Sequence, residues 1–338
     1  MTSVPFISFV TDTPLVHGSP TVSVQSPCYV KLIDRSGRLS FDRVLVTPGN
    51  PLVSRYQYYI PWQIEYQYVG SEEVSTYNFD LTDQVVFIKM DGHALGDNIA
   101  WMPYVEQFRQ VHNCKVICST FWNELFVDAY PHILFVKPNT KIHNVYAQYY
   151  IGAHKPHNEF YCRVDVDRSA LYNVASSTLG LDDQYIKCRI AYPKVNKNKR
   201  LVSLSQFASS NIKTWKGDWQ KVVDSLVSRG FEVQVVSKER TNLTNVTDLS
   251  GDRFTILDRV DQLARSSYFI GCSSGLSWLS NSIDNVVVLI SDFTPPHHEF
   301  PCVRIYDVDH VTDTVLTTEP THHVSTEVVI STINQHIV

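Results

Sequence analysis

Gln84-Val85-Val86-Phe87-Ile88-Lys89-Met90 runs into Asp91-Gly92-His93-Ala94-Leu95-Gly96 and then into Asp97-Asn98-Ile99-Ala100-Trp101-Met102. The first seven residues form a near-continuous apolar run, as expected of a strand buried on both faces. A glycine-containing loop follows, and Asp97-Asn98 opens a helical pattern whose apolar face is Ile99, Met102, Val105 and Phe108. The alternation continues with a strand over 114–118, a helix over 121–130 and a strand over 133–136. Strand and helix in turn predict a parallel sheet wrapped by helices.

Downstream the logic repeats. Residues 201–204 read as a strand, and Trp219, Val222, Val223, Leu226 and Val227 space one face of a helix that Gly230 stops. Strands over 231–237 and 268–270, a loop of small residues over 271–275, a helix over 276–283 and a strand over 285–291 complete a second unit. Upstream, 1–83 carries short alternating runs at 21–24, 29–33, 44–46, 63–68 and 75–79, with turn signals at 34–37 and 48–51. The chain therefore reads as α/β: two Rossmann-like halves facing a cleft, 84–195 and 196–338, preceded by a small all-β module, 1–83. A ligand is expected at the carboxyl ends of the strands.

Composition sets outer limits. With 29 Lys+Arg against 34 Asp+Glu in 338 residues, the net charge of −5 argues against coating nucleic acid by bulk charge. Apolar runs such as 85–88 and 286–290 are far shorter than the roughly 20 residues of a membrane span. No Lys or Arg precedes the apolar residues of 1–10, so no secretory signal is expected. Seven scattered cysteines without C-x-x-C pairs suit reduced thiols. The expectation is a cytoplasmic protein with no membrane partner.

Four stretches carry candidate chemistry. In Ile270-Gly271-Cys272-Ser273-Ser274-Gly275-Leu276 a strand passes through small residues into a helix, which leaves backbone N–H groups free to meet phosphate. An ordinary βα turn with a serine cap is the competing reading. Lys213 lies on the loop after the first strand of the last half, where it could neutralise a leaving diphosphate or simply be solvated. Asp97 follows the first strand of the middle half; it is either a helix cap or a base for an acceptor hydroxyl. Lys194, Lys197, Lys199 and Arg200 form a basic run between the halves, a linker or a nucleic-acid footprint.

Other patterns are weaker. Asp165-Val166-Asp167 and Asp307-Val308-Asp309 are D-x-D triplets that do not follow the leading nucleotide-fold strand. His297, His298, Glu299 and Cys302 lack the paired spacing of a zinc site.

Taken together, Gly96-Asp97-Asn98-Ile99-Ala100-Trp101-Met102-Pro103-Tyr104-Val105-Glu106 and Cys114 through Phe126, with Thr120-Phe121-Trp122-Asn123-Glu124-Leu125, resemble the bacterial autotransporter heptosyltransferases, relatives of the lipopolysaccharide heptosyltransferases. Ser273-Ser274-Gly275-Leu276-Ser277-Trp278-Leu279 is similar to a second motif, and Lys213-x-Trp215 with Gly217-x-Trp219 to a third. The β-rich start, with Leu32-Ile33-Asp34-Arg35 and Tyr59-Ile60-Pro61-Trp62, looks like the family's N-terminal module.

The resemblance implies a GT-B fold and an inverting, metal-independent sugar transfer from a nucleotide diphosphate donor such as ADP-heptose. On that mapping Asp97 is the general base. Lys213 and the N–H groups at Ser273, Ser274, Gly275 and Leu276 hold the diphosphate, and Gly96, Asn98, Trp101 and Trp215 line the cleft. The nucleotide sugar is a co-substrate; no cofactor or metal is implied for this chain.

One feature of the family is missing. The four-cysteine iron-binding finger that follows the Ser-Ser-Gly helix and its next strand has only Cys302 as a counterpart here. Three functions follow. The first is transfer to serine hydroxyls of a protein. The second is a phage-type enzyme glycosylating hydroxymethylcytosine in DNA with a pentose such as arabinose, favoured by the missing finger and the basic run but not by the net charge of −5; its compartment would be the host cytoplasm. The third is an idle carbohydrate-binding or assembly protein, against which the joint presence of Asp97 and Lys213 argues. Self-association into a homo-oligomer stays open.

Overall fold

Strict alternation shapes the N-terminal strands. The computed structural model describes residues 5–9, 19–152, 159–166, 168–208, 213–291, 298–306 and 324–338. The first strands are β1 (Phe6–Ser8), β2 (Thr21–Ser23), β3 (Cys28–Asp34), β4 (Val44–Val46), β5 (Leu52–Val53), β6 (Trp62–Tyr68) and β7 (Ser75–Asn78). In β3, Cys28, Val30 and Leu32 are buried while Tyr29 and Lys31 face out, and Trp62 and Ile64 answer from β6. The strands form antiparallel sheets in the orders β4-β3-β6-β7 and β1-β2-β5. Phe9 bridges to Ala147, and Phe79 stacks on Tyr146 with ring centroids 5.5 Å apart. The module thus shares its core with the sheet that follows.

That sheet consists of β8 (Val85–Met90), β9 (Lys115–Thr120), β10 (Ile133–Val136) and β11 (Ala147–Tyr150), with α1 (Leu95–Val111), α2 (Asn123–Phe126) and α3 (Asn173–Leu179). All its pairs are parallel, in the order β10-β9-β8-β11. The second sheet holds β12 (Asn198–Ser205), β13 (Glu232–Val235), β14 (Thr247–Asp248), β15 (Ser266–Cys272), β16 (Val286–Ile290) and β17 (Val303–Ile305). Its helices are α4 (Trp219–Ser228), α5 (Ile256–Ala264), α6 (Gly275–Ser282) and α7 (Thr326–His336). Its order is β14-β13-β12-β15-β16-β17, all parallel, which is the doubly wound Rossmann arrangement. The two halves are separate sheets, as a GT-B fold requires.

One face of the second sheet is covered by α4 and α7 around Trp215, Trp219, Val222 and Ile333. Its other face, through Leu263, Trp278 and Leu279, joins the same core as α1 and the β-module. No helix among the described residues is long and apolar enough to cross a membrane.

Several elements differ from expectation. The helix expected over 121–130 is only the four-residue α2: Leu125, Phe126 and Tyr130 are the fully buried residues of the stretch, and Pro131 disfavours helix at the residue before it. Gly271 and Cys272 belong to β15 rather than to the loop. Helix α7, unread in the sequence, is rich in β-branched residues; Ser325 caps it, and burial of Val329 and Ile333 holds it helical.

Candidate active site

The first strand of each half ends at a shared cavity of about 370 Å³. From the middle half come His93, Ala94, Leu95, Gly96, Asp97, Trp122 and Leu171. From the other come Lys213 after β12, Lys238 and Glu239 after β13, Ser273 through Leu276 and Trp278 at the start of α6, and His298 and Glu299 ahead of β17. In each sheet the order reverses beside its first strand, where open α/β sheets bind ligands.

Asp97 is not a helix cap. The helix begins at Leu95 with Ala94 in the cap position, so Asp97 sits within the first turn. Burial pushes its carboxyl up to about 6; Lys213 opposes that shift, Glu299 adds to it, and a backbone hydrogen bond opposes it. A carboxylate with such a value is poised to take a proton near neutrality.

The N-termini of α1 and α6 meet at this cavity. A Cβ on Gly275 would lie 2.6 Å from the Cβ of Leu95, and one on Gly96 would lie 3.1 Å from Cδ1 of Trp278. Glycine at both places lets the helix starts abut, and their unbonded N–H groups face the same space. The Ser277 hydroxyl donates to the Ser274 carbonyl (2.6 Å) and accepts from its N–H (3.2 Å). The Ser273 hydroxyl is bound to the Glu299 carboxylate, which is 5% exposed.

His298 also bridges the halves. Its Nδ1 lies 3.2 Å from the Ser169 carbonyl, which can only accept, so Nδ1 carries the proton. Burial pushes this imidazole below its ordinary value despite the neighbouring Glu299. The His298 carbonyl accepts from Leu171 N–H at 3.0 Å. His93 stacks on Phe121 at 3.6 Å, and the Trp122 indole N–H donates to the His93 carbonyl at 3.3 Å, forming an aromatic lip.

Three expected cleft residues lie elsewhere. Asn98 is fully buried: its Nδ2 donates to the carbonyls of Gly92 (2.8 Å) and Ala94 (2.9 Å), and its Oδ1 accepts from Thr120 Oγ1 (2.6 Å). It fixes the loop that presents Asp97. Trp101 is buried and donates to the Leu171 carbonyl at 3.0 Å. Trp215 packs edge-on against Trp219 and donates to the Val324 carbonyl at 2.9 Å, anchoring the chain two residues after Lys213.

The basic run is also put to other uses. Lys197 Nζ donates to the Ile283 carbonyl at 2.7 Å and to the Asn285 side chain, and Arg200 lies over the Phe231 ring at 4.9 Å. Lys194 and Lys199 are exposed. Of the remaining sequence candidates, His297, Asp167 and 307–309 fall outside the described residues, and Asp165 pairs with Arg168 at 3.8 Å. Reading the sequence missed Glu299 and His298 as cleft residues and weighed them only as metal ligands. No periodicity or motif marks either one.

No family model matches the chain. Among curated proteins, the autotransporter heptosyltransferase Aah of Escherichia coli is 31% identical over 303 residues, which is 84% of this chain and 76% of Aah. The chain belongs to the autotransporter heptosyltransferase family. It spans 62–65% of the length of three other curated members. One of these is the inactive autotransporter heptosyltransferase BimC of Burkholderia thailandensis, 26% identical over 269 residues, 74% of the chain. Among solved structures, the iron-containing dodecameric glycosyltransferase TibC of enterotoxigenic E. coli superposes with a TM-score of 0.80 at 25% identity, covering 90% of this chain and 82% of TibC. TibC has also been solved with ADP-D-β-D-heptose.

The family member's iron raises the question of whether this chain could hold one. All seven cysteines are free, and six of them are buried at separate places in the fold. Among the described residues no three His, Cys, Asp or Glu side chains gather as a ligand group. Cys302, the nearest counterpart to the family's finger, has its thiol pushed up to about 12, chiefly by burial, with Glu299 adding to the shift. The residues described do not fit a cysteine-ligated iron centre.

Proposed function

We propose that this chain is an inverting glycosyltransferase that moves a sugar from an ADP-heptose-like donor to an acceptor hydroxyl. The observation that carries the reading is the convergence of Asp97 and Lys213, from different halves, on one cavity at the start of α6. Lys213 and the N–H groups of Ser273, Gly275 and Leu276 face the donor diphosphate and stabilise the charge that grows on it. The Ser274 N–H, expected to join them, is already taken by the Ser277 hydroxyl. Asp97 accepts the acceptor's O–H proton as that oxygen attacks the anomeric carbon. The bond to the diphosphate oxygen breaks, its electron pair leaves with the nucleotide diphosphate, and the new bond forms on the opposite face. Fixed donors and a lysine supply the electrostatics, so no metal is assigned a step. The nucleotide-sugar complex of TibC supports the choice of donor.

For the acceptor we favour a protein hydroxyl, and the aromatic lip of His93, Phe121 and Trp122 is the wall it would meet. A DNA acceptor draws less support, because Lys197 of the basic run is hydrogen-bonded within the fold. Self-association, the state named for TibC, is carried over as an expectation for light scattering to check.

Offering ADP-heptose with serine-containing protein and with hydroxymethylcytosine DNA in parallel, and reading mass shifts, tests the assignment. Addition of one heptose mass to protein alone is the expected result. Product on DNA moves the acceptor, and no product on either, with binding intact, favours the idle reading.

A further inference from the structure

Two loops of the middle half border the cavity, and one buried hydroxyl ties them together. The loop after β8 passes through Gly92, His93 and Ala94 into the helix that carries Asp97. The chain after β9 carries Phe121 and Trp122, and Thr120, the last residue of β9, is fully buried. Thr120 Oγ1 donates to Asn98 Oδ1 at 2.6 Å and accepts from the Trp122 backbone N–H at 3.1 Å. The direction of these bonds is fixed. Asn98 must turn its Nδ2 to the Gly92 and Ala94 carbonyls, which can only accept, so its Oδ1 takes the one proton of the Thr120 hydroxyl. The lone pairs of that oxygen remain for Trp122.

We propose that Thr120 is a positioning residue for sugar transfer: through this one hydroxyl it holds the loop of Asp97 and the aromatic lip in a common frame, and so sets where the acceptor oxygen lies relative to its base. This rests on the transfer reading above.

The two loops are joined at the rim as well as at Thr120. There the Trp122 indole N–H donates to the His93 carbonyl at 3.3 Å, and the Phe121 ring stacks on the His93 ring. The start of the first loop is tied to the same strand, because the Ser119 hydroxyl is bound to the Asp91 carboxylate, which pairs with Lys89 at 3.4 Å. Thr120 does not itself line the cavity, whereas His93, Asp97 and Trp122 do, so it acts through them. Lys213 and the start of α6 belong to the other half, so the proposed diphosphate site does not depend on this hydroxyl. A base receives a proton only within hydrogen-bond reach of the attacking oxygen, and a misplacement of about 1 Å costs about 10²-fold. A hydroxyl that both donates and accepts can be replaced by that of serine but not by the methyl of valine.

The test compares the full chain with Thr120→Val, which keeps the volume and removes both bonds, and Thr120→Ser, which keeps both. Thr120→Ala stands in if Thr120→Val gives no folded protein. The probes are ADP-heptose and the serine-containing protein of the assay above. Thr120→Val should bind ADP-heptose at full stoichiometry and within about threefold of the wild-type affinity, while kcat falls about 10–100-fold and KM for the acceptor protein rises about three- to tenfold. Thr120→Ser should bring kcat and acceptor KM back to within about threefold of wild type. Amide hydrogen exchange should quicken about tenfold in 92–98 and 121–126 together in Thr120→Val, and in neither segment in Thr120→Ser. Loss of donor affinity along with turnover, equal behaviour of Thr120→Val and Thr120→Ser, or faster exchange in only one of the two segments overturns the proposal. Failure of wild type to transfer heptose sinks the transfer reading itself, and this proposal with it.

Discussion

The two parallel sheets share a strand order at their centres, yet the helices that follow them bring different chemistry to the same cavity. After β8 the chain enters α1 with a carboxylate, Asp97, in the first helical turn. After β15 it enters α6 through Ser273, Ser274 and Gly275, and the loop after β12 adds Lys213. Both helix starts offer N–H groups and the positive end of a dipole. At α6 small residues open the first turn, and Glu299 meets it only through the Ser273 hydroxyl. In α1 an acidic side chain already occupies the place an anion would take. On the proposed function, the same topological device would serve a proton acceptor on one side and a phosphate site on the other.

Substitutions can break this division of labour, and the largest effect is expected at α1. Asp97→Asn should cut the rate at saturating ADP-heptose by about 10²–10⁴-fold while leaving ADP binding by calorimetry close to wild type. A rate within a few fold of wild type would leave Asp97 without a catalytic role. On the other side, Lys213→Ala should lower kcat/KM by about 10²–10³-fold and weaken ADP itself, since the diphosphate is anionic before transfer and more so during it. If ADP binding survives that substitution, the phosphate assignment fails.

The acid limb sharpens the comparison further. With its folded value near 6, Asp97 is protonated below that pH, so kcat/KM should fall as pH drops through about 6, and Asp97→Asn should abolish that limb. Burial chiefly sets it, with Lys213 holding the value down and Glu299 raising it. The stability sign follows from the same shift. The folded protein binds a proton that the unfolded chain has released between about pH 4 and 6, so the buried charge costs stability above that window and the cost fades as pH falls through it. Asp97→Asn should therefore stabilise the protein at pH 7 by on the order of 1–3 kcal/mol, with the gain shrinking toward pH 4 on thermal melts.

The smallest effect probes the junction itself. Gly275→Ala places a methyl 2.6 Å from Leu95 Cβ, so α6 must shift against α1. A cost of about 1–3 kcal/mol and a drop in turnover of about tenfold are expected, with ADP affinity affected less than rate. Equal activity would show that the close approach of the helices is incidental.

Much of the frame was legible. The periodicity of β8 and α1, the stop at Gly230 and the alternation in β3 and β6 are local properties, and they led to two Rossmann-like halves behind a β-module; the family resemblance added the GT-B expectation. Lys213, Gly96, Asp97 and Ser273–Leu276 were also legible as cavity residues, since small or charged residues at strand-to-helix junctions are marked by their neighbours. Asn98, Trp101 and Trp215 were misplaced because a motif position does not say which way a side chain turns. Each was drawn inward by a partner distant in sequence: Thr120, Leu171 and Val324.

By itself, then, the sequence determined the class of fold, the two strand-to-helix junctions and the types of side chain they carry, because these depend on spacing along a few turns of chain. Only the tertiary structure decided which of those residues share a cavity, that Asp97 is desolvated enough to hold its proton to about 6, and that Glu299 from the edge of the second sheet joins them. The reason is physical: burial and electrostatic coupling arise between groups brought together by packing, here Gly96 and Leu95 against α6, and no local pattern encodes the distance between them.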